Sequence, residues 1–396
     1  MHNSDRAAHA ALLLIAVGSS AAAQTQVSGN AFNPAISLIL NGRYAHYSLD
    51  PSDYALPGFP LGGEAGLASE GLSLDETEFA VSANVDDKYY GFMSVALTQE
   101  DGETAVGLEE AYFETLALPM GFKVKGGKFL SDVGYLNPIH AHAWDFVDAP
   151  LAYAAFLDGS LSDTGLQLKW VAPTILFVEI GAELLRGDSF PAANGAESNG
   201  TGASSLFFHV GADVGSQGSW RAGVSRLSAD ANMRTSDFDT GSLAFTGTSD
   251  LTIVDFVWKW AKNGNPRDRY FVAQAEYLSR DEDGTVDFEP LAGPAANGPY
   301  SSSDDGYYVQ GVYQFRPRWR VGIRYDSLDS RNDTGIPTPL ATGHEPSRVS
   351  VMSDFSNSEF SRLRLQFSRD ESRLETDNQI ILQYIMSLGA HGAHRF

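Results

Sequence analysis

The sequence predicts an all-β fold: a transmembrane antiparallel β-barrel of about sixteen strands, with short periplasmic turns and long extracellular loops. Three observations predict it. Segments of roughly ten residues alternate apolar with polar side chains, their connections alternate short with long, and aromatic residues gather near the segment ends.

The composition narrows the function classes first. The 396 residues carry 27 Lys+Arg against 50 Asp+Glu, a formal charge of −23, and no cysteine. That acidity argues against a nucleic-acid partner, which needs a basic face for phosphates. The missing cysteines exclude disulfides, thiolate zinc sites and cysteine nucleophiles. No G-x-S-x-G or H-E-x-x-H motif occurs, and Gly126-Gly127-Lys128-Phe129 lacks the spacing and the Ser/Thr of a phosphate loop, so no enzyme is expected. A hydrolase built on His46 or His209, the two strand histidines, is the remaining enzymatic reading.

Residues 1–23 read as an export signal. Arg6 lies in a polar start, Ala10 to Val17 forms an apolar run, and Ser19-Ser20-Ala21-Ala22-Ala23 supplies small residues before Gln24. The run is too short for a membrane anchor, which needs about 20 apolar residues. Residues 24–396 then form the barrel. No later stretch is apolar enough for a transmembrane helix, so an exported chain of this kind is periplasmic, secreted or an outer-membrane barrel.

Candidate strands fall near 34–47, 72–86, 88–99, 105–117, 121–130, 163–172, 174–186, 204–214, 218–228, 250–262, 268–280, 306–316, 318–328, 347–356, 359–369 and 378–389. The logic is plainest where Leu176, Val178, Ile180, Ala182 and Leu184 form one stripe, with Phe177, Glu179, Gly181 and Glu183 on the other. Leu363, Leu365 and Phe367 likewise alternate with Arg362, Arg364 and Gln366, and Ile380, Leu382, Tyr384, Met386 and Leu388 form a further stripe. Short turns such as Ala172-Pro173 and Arg316-Pro317-Arg318 follow the even strands. Long loops at 48–71, 131–162, 187–203, 229–249, 281–305 and 329–346 follow most of the odd ones; two odd-side loops, 100–104 and 370–377, are shorter, so 131–162 is the third on that side. Tyr89, Trp170, Trp220, Trp258, Trp260, Tyr270, Tyr307, Tyr313, Phe315, Trp319 and Tyr325 suit interfacial girdles.

By the same alternation, Glu76, Glu78, Glu110, Glu114, Glu179 and Glu183 from early strands line the pore, together with Arg320, Arg324, Arg362 and Arg364 from late strands. Inward charge of both signs suits a wet lumen, because charges on a lipid face are costly. Acidic stretches at Asp281-Glu282-Asp283, Asp304-Asp305 and Asp326 to Asp333 would concentrate cations at the outer mouth. They would also bind divalent ions that bridge lipopolysaccharide.

With an export signal, sixteen strands and a terminal Phe396, the sequence resembles the bacterial general porins. The resemblance covers nearly the whole mature chain. In that family the third long loop, here 131–162, folds into the lumen and constricts it, and barrels of this size commonly form homotrimers. More narrowly, Gly127-Lys128-Phe129-Leu130, the run Asn137 to Asp148, and the ending Gly389 to Phe396 resemble porin-like proteins labelled zinc-regulated or TonB-dependent outer-membrane receptors. A TonB-dependent receptor carries 22 strands and a folded plug, which 373 residues cannot supply.

Within the third loop, His140 and His142, with Asp145 and Asp148 close behind, offer imidazole and carboxylate donors suited to zinc or another divalent cation. His391 and His394 form a second pair. No organic cofactor is implied. Three expectations follow: a passive, cation-biased channel for small hydrophilic solutes or ions; a zinc-acquisition protein; and a structural or adhesive barrel plugged by its own loops.

Overall fold

A computed structural model describes residues 34–100, 103–195 and 200–389. The export segment, His391, His394 and Phe396 lie outside them. The described strands in chain order are β1 (Ala35–His46), β2 (Gly71–Leu74), β3 (Thr77–Asn84), β4 (Tyr89–Glu100), β5 (Glu103–Thr115), β6 (Phe122–Leu130), β7 (Ser162–Val171), β8 (Phe177–Leu185), β9 (Ala203–Val214), β10 (Gly218–Phe238), β11 (Gly241–Ala261), β12 (Tyr270–Pro290), β13 (Ala296–Arg316), β14 (Trp319–Asp329), β15 (Asn332–Thr334), β16 (Ser347–Ser358), β17 (Ser361–Asp370) and β18 (Asp377–Gly389). The short β2 continues β3 along β1, and the short β15 is a flap on β13. The other sixteen strands form one closed antiparallel barrel, sealed where β1 pairs with β18 (Ile39 opposite Ser387). Closure leaves no unpaired strand edge in the bilayer, where an orphaned amide has no water to meet.

All sixteen expected strands are present, and each outward row is apolar. Val349 and Val351, then Leu363, Leu365 and Phe367, then Ile380, Leu382 and Tyr384, lie side by side on β16, β17 and β18. Some outward charges pair with one another, as Arg226 does with Asp250 and Arg369 with Glu371. Trp258 packs on Phe271 near the turn end of the belt. Tyr270 departs from the girdle expectation: it points inward, and its hydroxyl accepts from Arg320.

Two expected loops are strand instead. β10 to β13 each run 21 residues, so 229–249 and 281–305 are mostly hairpin. Spanning takes about 9–11 residues, and the surplus carries this sheet roughly 30 Å beyond the membrane at about 3.3 Å per residue. Its inner face carries an apolar cluster, Leu243, Phe245, Val286, Phe288 and Tyr300, covered by Leu340 and Ile336 from the connection after β15.

The main core lies inside the barrel. The segment 131–161, the third long loop, folds into the lumen and carries the one described α-helix, α1 (Leu151–Leu157). Its sequence, LAYAAFL, is apolar nearly all round, as a helix buried on every side must be. α1 packs Leu151, Tyr153, Phe156 and Leu157 against Leu227, Leu251, Ile253, Leu278 and Tyr308 of the wall, with Leu56 and Phe59 of the first loop closing over it. At this depth the inward stripe therefore meets protein, not water.

Candidate functional site: the loop-filled lumen

The third loop is held by inward side chains of the wall, one sector after another. At its start, Glu183 accepts from the Ser131 hydroxyl (2.5 Å) and the Asp132 amide (3.0 Å), while Lys169 donates to Asp132 (2.5 Å). Glu179 faces His209 at 3.1 Å and Lys169 at 3.8 Å. Farther round, Glu276 accepts the amides of Tyr135 and Leu136 and the hydroxyls of Tyr153 and Tyr308. Gly134 sits at φ +69°, and a Cβ there would lie 2.5 Å from Glu276 Oε2, so the loop reaches this carboxylate only through glycine.

Next comes a basic sector. Arg320 donates to Asp145 (2.8 Å) and chelates Asp354. Arg324 and Arg348 converge on Asp148 at 3.1 and 2.7 Å, and Gln366 donates to the same carboxylate. Arg362 and Arg364 donate to the carbonyls of His142 and Trp144 (2.6 and 2.8 Å). Asp145 and Asp148 are thus drawn to the arginine wall and do not join the histidines, which corrects the four-residue metal set expected from spacing.

The histidines turn the other way. Their rings stack, with centroids 5.6 Å apart, beside an acidic sector of β3 and β5. His140 Nε2 lies 2.9 Å from Glu110 Oε2, and His140 Nδ1 lies 3.3 Å from Glu78 Oε2. His142 Nδ1 is 3.1 Å from the same Glu78 oxygen. Burial resists a charge on His140, but the Glu78 and Glu110 carboxylates outweigh it and hold that imidazole well above its ordinary range. For His142 burial wins, and the group is pulled down. Glu76 and Glu109 adjoin Glu78. Glu114 pairs with Lys123 at the turn end of the same sector (2.8 Å).

Every expected pore-lining residue therefore faces inward, but most clamp the third loop: Glu183, Arg324 and Arg364, which hold it, are each 1% exposed, while Glu179 pairs within the wall. The acidic and basic groups occupy adjoining sectors that meet at His142, because β17 and β3 are separated only by β18 and β1. Much of the acidity assigned to the outer mouth is also internal. Glu282 is chelated by Arg234 (2.7 and 3.0 Å), and Asp304 pairs with Arg280 (3.0 Å). His46 lies apart on the outer surface beside Glu70.

Sequence reasoning missed Glu109 and Glu276. Glu109 turns inward beside Glu110 because of a bulge: Ser94 opposes Glu110 and Val95 opposes Leu108, leaving Glu109 without a partner. Strict alternation hides such a residue. Glu276 shares the inward parity of Gln274 and Arg280, and that row was the available signal.

Among solved structures, the barrel is similar to OmpT of Vibrio cholerae in a trimer form (TM-score 0.54, 11% identity, 90% of this chain and 99% of that one). It is also similar to the outer membrane channel DcaP of Acinetobacter baumannii (0.54, 13%, 90% and 97%) and to an anion-selective porin from Comamonas acidovorans (0.52, 9%, 90% and 99%). At these identities the likeness is one of fold, that of the outer-membrane porin barrel. No family model matches the chain. In sequence it is 32% identical over 396 aligned positions to an uncharacterized protein of Aquifex aeolicus, covering 93% of this chain and 81% of that one. The chain therefore belongs to the same family as that Aquifex protein, and its barrel has the fold of the outer-membrane porins.

Proposed function

We propose that this barrel is a porin-like channel that lets small hydrophilic solutes or ions diffuse across the outer membrane, with a bias toward cations, along a path narrowed by the third loop. The observation that carries this reading is the charged inner wall around that loop. Glu76, Glu78, Glu109 and Glu110 face the lumen together, and Arg362 is the arginine that reaches their sector. A narrow passage with low-dielectric walls focuses such charge, favouring counter-ions and slowing apolar solutes. The Comamonas porin is described as anion-selective on the same fold, which supports taking the sign of selectivity from side chains and not from architecture.

Planar-bilayer recording tests this. The purified chain should give stepwise conductance, and a KCl gradient should give a reversal potential of cation sign that moves toward zero in E109Q. A folded, inserted protein that conducts nothing overturns the reading. A loop-plugged structural barrel is the second reading, favoured by the apolar packing of α1 and the first loop. It expects silence from the wild type and conductance after deletion of 50–68. Homotrimeric assembly is proposed with the channel, and cross-linking in native outer membranes would show it.

A further inference from the structure

We propose a divalent transition-metal site, of the zinc class, formed by Glu78 of β3 with His140 and His142 of the third loop, with Glu109 as the fourth donor and Glu110 orienting His140.

Donor geometry carries the proposal. Glu78 Oε2 lies 3.3 Å from His140 Nδ1 and 3.1 Å from His142 Nδ1, and the three atoms fall within 4.8 Å of one another. Tetrahedral ligands at bond lengths of about 2.0–2.1 Å stand about 3.3 Å apart, so these separations are those of ligands sharing one ion. Glu78 is 4% exposed, yet its Oε2 has no hydrogen bond, and neither has His140 Nδ1. A buried carboxylate oxygen facing two ring nitrogens needs a positive charge between them, which either a proton on an imidazole or a metal ion in its place supplies.

The surroundings are arranged as a metal requires. His140 Nε2 lies 2.9 Å from Glu110, and a proton held on Nε2 leaves Nδ1 its lone pair for a metal. Glu109 Oε2 is buried without a hydrogen bond 3.9 Å from His140 Nδ1. Four carboxylates, Glu76, Glu78, Glu109 and Glu110, crowd this sector, so a divalent ion relieves repulsion that the two imidazoles cannot relieve alone. Two nitrogens with carboxylate oxygens suit zinc and its neighbours better than calcium or magnesium, which take oxygen ligands. The ion would tie the third loop to β3. This inference does not depend on conduction, since metal binding and conductance are separate measurements.

Zinc added to the purified full chain in detergent micelles tests the site, read by calorimetry and by metal content after gel filtration. One equivalent per barrel is expected, kept in D145N and in H391A/H394A and lost in H140A/H142A. E110Q should weaken binding by about 10–100-fold, the usual cost of removing a histidine's outer partner. Because deleting both imidazoles also loosens the loop, E78Q, which preserves shape, should lose zinc while retaining heat-modifiable gel migration. Cobalt(II) in place of zinc should give the visible absorption of a tetrahedral site. No retained zinc in the wild type, or equal retention in H140A/H142A and E78Q, overturns the proposal.

Discussion

Glu276 shows how much one side chain can hold in this barrel. It is 2% exposed, and its two oxygens accept from four donors: the amides of Tyr135 (2.9 Å) and Leu136 (3.0 Å) and the hydroxyls of Tyr153 (2.9 Å) and Tyr308 (2.5 Å). Hydrogen bonds to a charged group contribute about 1.5–3 kcal/mol each. In E276Q the amide nitrogen must face a backbone N–H wherever it is placed, so donor meets donor. We expect about 2–4 kcal/mol less stability for the docked loop, seen as faster proteolysis within 131–161 and larger conductance from a barrel that still folds. Equal protease resistance in E276Q and wild type would refute this. The inward parity of Glu276 was legible in the sequence; its four donors were not, since they come from a loop 123 to 141 residues upstream and from a neighbouring strand. The same limit explains the metal site. Spacing pointed to His140 and His142, but their carboxylate partners lie on β3 and β5, and only closure of the barrel brings those strands beneath the loop.

At the scale of elements, the first and third loops are clasped. The α1 helix ends at Asp158 in the left-handed region (φ 53°), and the Glu64 amide donates to its Oδ1 at 2.9 Å. Burial, aided by the Glu64 carboxylate, pushes the Asp158 carboxyl from 3.8 up to about 6, against the pull of the Glu64 and Ala65 amides. A carboxyl raised in the folded state binds its proton more tightly there than in the open state. Its contribution is therefore fully present below about pH 4 and lost as pH rises through about 6. Between those values the clasp should weaken with rising pH. Hydrogen exchange at Glu64 and Ala65, corrected for intrinsic rate, should accelerate over this window in the wild type and stay level in D158N. A wild-type profile as flat as the variant's would remove Asp158 as the cause. Strands themselves were legible wherever one face meets hydrocarbon, because period two then appears as an apolar stripe. Beyond the membrane, outward residues such as Asn232, Thr248 and Asp283 are polar, so the upper halves of β10 to β13 read as loops although their ladders continue.

The whole molecule inverts a soluble domain outside and resembles one inside. Its outer wall presents Leu363, Leu365 and Phe367 between Val349 and Val351 on one side and Ile380, Leu382 and Tyr384 on the other. Its interior packs a short helix, two loops and buried ion pairs such as Arg280 with Asp304. The outer alternation was legible from sequence because it answers to one constraint, contact with lipid. The interior was not, because an inward Leu227 or Leu251 follows the period of the wall yet answers to a loop far away in the chain. Depth in the membrane gives the sharpest test of the assignment. Leu365 lies midway along β17, so Leu365→Arg places a cation in hydrocarbon and should destabilise the barrel by about 2–4 kcal/mol. Thr248 is also outward and exposed, but it lies in the extended part of β11 between Asp230 and Asp283. Thr248→Arg should change stability by less than about 1 kcal/mol, helped by those two carboxylates. Reversible urea unfolding in lipid vesicles measures both. Equal effects at the two positions would mean that the apolar row on β17 faces something other than lipid.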